Sequence, residues 1–229
     1  MKQFLLFLFF SLSANAMWSQ ITVTNSTFPQ PGDTLRTAID GDPGDIVVGD
    51  AGADLQWDFT SLRIPFVQQT IFLDAALGNN FDTFPGATMF SEILISDSLA
   101  ETYYRADENS LQLLGYVGGD PTGFGLDLVV QLDPPTVERV APLTYGDFNA
   151  SESAVNLPIA SDDIPQALLD SFPLPFTPDS LRIRINTETV GVVDAWGELT
   201  IPGGENGETY EVLREKRTEI REIRLDIKL

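Results

Sequence analysis

The chain offers carboxylates for chemistry and almost nothing else. It contains no histidine and no cysteine among 229 residues. That excludes Ser-His-Asp and Cys-His nucleophilic sites and imidazole or thiolate zinc centres. Acid–base work near neutral pH would fall to Asp, Glu or Lys. A carboxylate-based glycosidase needs only two acids held about 5–10 Å apart. Glu92, Glu101, Glu138 and Glu198 lie in or near strand-like segments and are the candidates for such a pair. With 34 acidic residues in the chain, such candidates also arise from composition alone.

A second candidate is a cation site. Asp40, Asp42 and Asp45 alternate through Asp40-Gly41-Asp42-Pro43-Gly44-Asp45. Calcium takes six to eight oxygens at short range, and Asp on a Gly-rich turn supplies carboxylate and carbonyl oxygens together. The closing Glu of a twelve-residue calcium loop is missing, and Asp and Gly also serve as plain turn formers. Calcium is the one ion considered, and no other cofactor is expected. No phosphate loop is present, because Gly118 to Gly125 lacks the lysine and the strand-to-helix context. Trp57 alternates with apolar neighbours and belongs in a core. Trp196, placed at a turn in Asp194-Ala195-Trp196-Gly197, is the better candidate for stacking on a sugar.

The elements that would carry these residues are strands. Thirty-three Gly and Pro residues punctuate short apolar runs along the whole chain. Strands are expected at 55–59, 66–73, 88–95, 102–105, 110–117, 126–132, 136–140 and 181–186, with a bulge near Gly191 where the alternation slips. One short helix is expected over Ile164–Asp170, capped by Ser161-Asp162-Asp163 and stopped by Pro173 and Pro175. The segment from Ala141 to Pro178 reads as the most irregular. The stretch from Tyr210 to Leu229 fits helical spacing and strand spacing alike. The fold class is therefore mostly β, an antiparallel β-sandwich of jelly-roll type with one accessory helix.

Residues 1–16 have the form of a cleavable secretory signal: a basic start at Lys2, an apolar run from Phe4 to Leu12, and Ala14-Asn15-Ala16 for cleavage. Localisation is therefore secreted, either extracellular or periplasmic. Without cysteine the product carries no lipid anchor, and no later segment reaches the ~20 apolar residues a membrane helix needs. Residues 17–229 read as a single β-rich domain. Its end at Leu229, without Gly or Pro, fits an edge strand or a truncated copy of something longer. Net charge is −21, and six of the basic residues crowd between Arg214 and Lys228. Such a surface repels nucleic acid and anionic lipid.

Two segments resemble exported proteins of Bacteroidota. Leu55-Gln56-Trp57-Asp58-Phe59-Thr60-Ser61-Leu62 resembles a segment near the N-terminus of many of them. Val193-Asp194-Ala195-Trp196-Gly197-Glu198-Leu199-Thr200-Ile201-Pro202-Gly203-Gly204, followed by Tyr210 to Arg217, is similar to a later one. These proteins are usually cargo of the type IX secretion system. The resemblance implies a β-rich extracellular region without assigned activity and makes the charged C-terminal stretch a strand. It differs in lacking a recognisable sorting domain. The same group O-glycosylates Asp-Ser/Thr-apolar sites, a pattern matched at Thr34, Ser98 and Ser180. The functional expectation is a non-catalytic surface, adhesion or carbohydrate-binding module whose partner is a glycan or a cell-surface protein. The alternatives are an inactive N-terminal fragment of a larger cargo protein and a carboxylate-based glycosidase.

Overall fold

The computed structural model describes residues 21–44, 46–95, 98–118, 128–164, 166, 170, 178–203 and 207–228. The expected signal at 1–16 lies outside them, as does Asp45. Most of the expected helix at 164–170 also lies outside, with only Ile164, Gln166 and Asp170 described. The strands are β1 (Thr34–Ile39), β2 (Gly52–Asp58), β3 (Phe66–Ile71), β4 (Leu73–Asp74), β5 (Met89–Ile95), β6 (Ser98–Ala106), β7 (Ser110–Gly118), β8 (Val129–Val140), β9 (Phe148–Ala160), β10 (Ser180–Ile201) and β11 (Glu208–Lys228).

The protein is mostly β, and its described strands pair as open sheets in place of the expected jelly-roll sandwich. β4 to β11 pair neighbour to neighbour, each antiparallel to the next, and β2 joins β10 in parallel. The result is one open sheet of nine strands beside a two-stranded sheet of β1 and β3. The physical reason lies in β8. Its ends pair with β7, but residues 132–135 do not. Pro134 and Pro135 stand there, and proline has no N–H to give a ladder. At this point β8 turns to β9 through the single pair Leu132↔Val155. The sheet therefore continues through a narrow joint instead of closing over itself.

On one side of that joint, β5, β6 and β7 are covered on both faces. Antiparallel pairing sets Met89 opposite Tyr104 and Phe90 opposite Tyr103. Successive side chains point to opposite faces, so the two pairs serve separate cores. Met89 packs with Phe28, Phe72, Leu111 and Ala141. Tyr103 packs with Phe84, Phe90 and Leu114, its ring stacked 4.6 Å from Phe84 and 5.7 Å from Phe90. The covering reaches the first part of β5, where Met89, Phe90 and Ser91 are buried, and stops short of Leu94, which is exposed. A third cluster, Leu128, Val130, Ile159, Ile164 and Leu181, bridges the joint.

Gly115, at φ +147°, allows this packing. A Cβ there would lie 2.0 Å from the Val130 carbonyl oxygen. On the other side of the joint, β10 and β11 form a hairpin of 21 opposed pairs. The expected bulge is present a few residues beyond Gly191, between Val193 and Ala195. Among the described residues no helix is long and apolar enough to cross a membrane.

Candidate ligand cleft and the placement of the predicted residues

Of the four glutamates singled out by sequence, the structure brings together only Glu92 and Glu101, opposed on β5 and β6. Glu101 is a structural group. Its Oε1 accepts from the backbone and side-chain amides of Asn79, at 3.1 and 2.6 Å. Its Oε2 accepts from the same two groups of Asn80 and from the Tyr103 hydroxyl, at 3.2, 2.8 and 2.8 Å. Burial opposes its ionisation, but the hydrogen bonds from Asn80, Tyr103 and Asn79 prevail and hold the carboxyl below the usual range. Burial, and then the Glu101 carboxylate, push the Tyr103 hydroxyl up to about 12. The five bonds fasten the 79–80 turn to β6 and leave Glu101 no free lone pair for a substrate. Glu198 is exposed on β10, opposite Glu211.

Glu138 is placed differently. It lines a cleft of about 450 Å³, within the range of small-molecule sites. Its lining combines the aromatic Phe28, Phe72 and Tyr104 with the charged Asp33, Glu138 and Arg139. The segment 26–35 folds across β6, β7 and β8 to close it, tied down where the Arg139 guanidinium donates to the Thr27 carbonyl at 3.3 Å. Asp33 shapes the turn at the cleft rim by accepting from the Gln30 amide at 2.8 Å. Burial pushes the Glu138 carboxyl up, against the pull of Arg217 and Arg139. The cleft thus presents a half-buried acid whose carboxyl burial pushes up, a guanidinium and aromatic walls. Sequence reasoning named Glu138 and Thr34 but missed Asp33, Tyr104, Arg139, Phe28 and Phe72. The turn Pro29-Gln30-Pro31-Gly32-Asp33 was the available signal, since it reverses the chain and returns Phe28 to the sheet.

The aspartate run serves Arg63. Asp40 accepts from the Arg63 backbone amide at 2.7 Å and from the Asp42 amide at 3.0 Å. Asp42 accepts from the Arg63 guanidinium at 3.2 Å. The Arg63 and Asp42 backbone amides hold the Asp40 carboxyl below its usual range. A cation bound by Asp40 and Asp42 would have to displace that guanidinium.

Trp196 is not at a turn: it is half-buried within β10, opposite Leu213 of β11. Trp57 is core, as its alternation implied. It is 8 % exposed, its indole N–H donates to the Val48 carbonyl at 2.7 Å, and the Arg214 guanidinium lies 6.0 Å from its ring centre. Arg214 also pairs with Asp194 at 2.7 Å and donates to the Val48 and Gly49 carbonyls. The two segments that carry the resemblance are therefore side by side, as the parallel strands β2 and β10. At that contact a Cβ on Gly197 would lie 1.9 Å from the Leu55 carbonyl oxygen, so only glycine permits so close an approach. Thr34, Ser98 and Ser180 each open a strand, β1, β6 and β10. Asp33 has an ordinary turn role, accepting from the Gln30 amide, and Asp97 lies outside the described residues. Thr34 also lines the cleft.

Comparison with protein-family models, with curated proteins and with solved structures finds no match for this chain.

Proposed function

We propose that the protein is an exported, non-catalytic β-rich module that binds a neutral saccharide, with the cleft between the 26–35 segment and β6–β8 as its site. One observation carries the reading: the cleft combines aromatic walls from Phe72 and Tyr104 with the polar groups of Asp33, Glu138 and Arg139. Sugars present apolar ring faces and rims of hydroxyls, and a site of apolar surface with a few fixed polar groups suits them. The signal-like residues 1–16 and the resemblance to Bacteroidota exported proteins support export. They do not choose the ligand.

A neutral Glu138 donates a hydrogen bond and an ionised one only accepts. Affinity for a donor-poor saccharide should therefore fall as pH rises through the elevated Glu138 value. The Glu138→Gln variant should bind without that pH dependence. A glycan array read at pH 5 and pH 8, followed by calorimetry with the best hit, tests this. Absence of binding to any glycan would end the proposal, as would binding that survives Arg139→Ala together with Tyr104→Ala.

The same cleft favours one second reading. Glu138, its carboxyl pushed up by burial, lines the cleft together with Asp33, and a raised acid paired with a second carboxylate is what a glycosidase uses. Turnover of chromogenic glycosides, abolished in Glu138→Gln, would select hydrolysis over binding.

A further inference from the structure

We infer that a second copy of this chain pairs edge to edge along β11, antiparallel, with Thr218 opposed to its own counterpart on a two-fold axis. The inference does not depend on the saccharide reading.

β11 is an outermost strand. It pairs with β10 along one side, and no other strand among the described residues pairs with its far side. An edge of this kind offers a row of N–H and C=O groups for another strand. Proteins usually blunt long edges with proline, bulges or brevity. β11 runs 21 residues without a proline, a glycine or a register shift of its own. At about 3.4 Å per residue it is about 70 Å long.

The charge order on this edge is self-complementary. Along one face of β11, Glu215, Arg217, Glu219 and Arg221 alternate in sign. The Arg217–Glu215 pair at 3.0 Å and the Arg221–Glu219 pair at 2.6 Å show that these neighbours share a face. A two-fold axis normal to the sheet keeps each face on its own side, so opposed residues must have equal parity. That limits the registers to those centred on a residue.

Centring on Thr218 opposes Glu215 to Arg221, Arg217 to Glu219, Arg214 to Glu222 and Glu208 to Lys228, each pair occurring twice. It also sets Leu213 against Ile223 and brings no like charges together. Every nearby register does worse. Centring on Lys216, Arg217 or Glu219 opposes that residue to itself, and centring on Ile220 sets Lys216 against Arg224. Like charges directly opposite are destabilising, and opposite charges contribute about 0.2–1 kcal/mol per pair. The Thr218 register is also the one that overlaps all of β11. A contact about 70 Å long and about 10 Å deep covers roughly 700 Å² per chain. The total of roughly 1,400 Å² lies within the range of stable interfaces.

The experiment is light scattering on the size-separated chain, with variants at the axis. Wild type should have twice the chain mass of 25.1 kDa. Thr218 is exposed, so the monomer accepts substitution there. Thr218→Lys and Thr218→Glu each set two like charges on the axis and should give monomers. An equimolar mixture of the two should recover the doubled mass as a heterodimer. Wild type that stays monomeric up to its solubility limit would overturn the inference. So would a dimer indifferent to Thr218→Lys, or failure of the mixture to associate while both variants keep their far-ultraviolet strand signal. If either variant fails to fold, the wild-type concentration series and its loss of dimer in about 1 M salt, where the screening length is about 3 Å, decide the question.

Discussion

The sheet on either side of the β8 joint is held by different physics. Where β5, β6 and β7 lie under the covering segments, neighbouring residues meet separate cores on opposite faces, so that Met89 and Tyr103 are both fully buried. From β10 to β11, the hairpin is longer than any of those strands, yet Ile220 and Ile223 are more than 60 % exposed. The first region gains about 1.5–3 kcal/mol for each large side chain it buries. The second depends on the backbone ladder, on surface ion pairs that contribute about 0–1 kcal/mol each, and on the Trp57–Arg214–Asp194 knot nearer its closed end. Strand length is therefore a poor guide to strand stability in this protein.

The largest break in that contrast is expected at Tyr103 and Glu101. Tyr103→Ala removes a fully buried ring that stacks on two phenylalanines and should cost about 3–5 kcal/mol in denaturant unfolding. Glu101→Ala strands three amide donors of Asn79 and Asn80 and the buried Tyr103 hydroxyl and should cost about 3 kcal/mol or more. If either is nearly neutral, the β5–β7 region is not the stable half. Gly197→Val comes next. Its side chain cannot coexist with the Leu55 carbonyl, so β2 should detach from β10. Hydrogen exchange should then quicken at 52–58 while protection at 100–118 is unchanged. Loss of protection in both regions would show that the joint couples them tightly.

Acid comes third. The Glu101 carboxyl sits below its unfolded value of 4.5 in the folded chain, so the unfolded state binds the proton first as pH falls. Its stabilisation is complete above that value and is lost as pH drops through the folded one. Urea midpoints measured from pH 7 downward should fall in that window, and less steeply in Glu101→Gln. The smallest effect is expected at Arg221→Ala. It removes an exposed ion pair with Glu219 and should shift the unfolding of dilute protein by less than about 1 kcal/mol.

The sequence showed this contrast unevenly. β2, β3, β5 and β7 were legible because their apolar residues either alternate or run together. β9 was not. Its first half, Phe148 to Ser153, is polar, and only Val155, Leu157 and Ile159 mark the inner face. Pro158 and the surrounding prolines also imitate a loop. β8 was read as two strands because Asp133-Pro134-Pro135 resembles a turn, whereas the chain there only changes neighbours. The C-terminal stretch stayed ambiguous by periodicity because Arg and Glu support helix and strand equally. It is a strand because β10 offers a partner over its whole length. Of the cleft, Glu138 and Thr34 were visible as residue types. Phe28 and Asp33 reach Glu138 from a segment more than 100 residues earlier, and no local pattern encodes that contact.

The β10–β11 hairpin also fixes how the molecule responds to load. Ser180 and Lys228 are opposed at its open end. A pull separating them would strain one opposed pair at a time, so the hairpin should unzip gradually at low force. β5 to β7, loaded along their length, would have to shear many bonds and both cores at once. A chain held by its C-terminal end would therefore extend through β11 first, lengthening by tens of ångströms while its aromatic half stays intact.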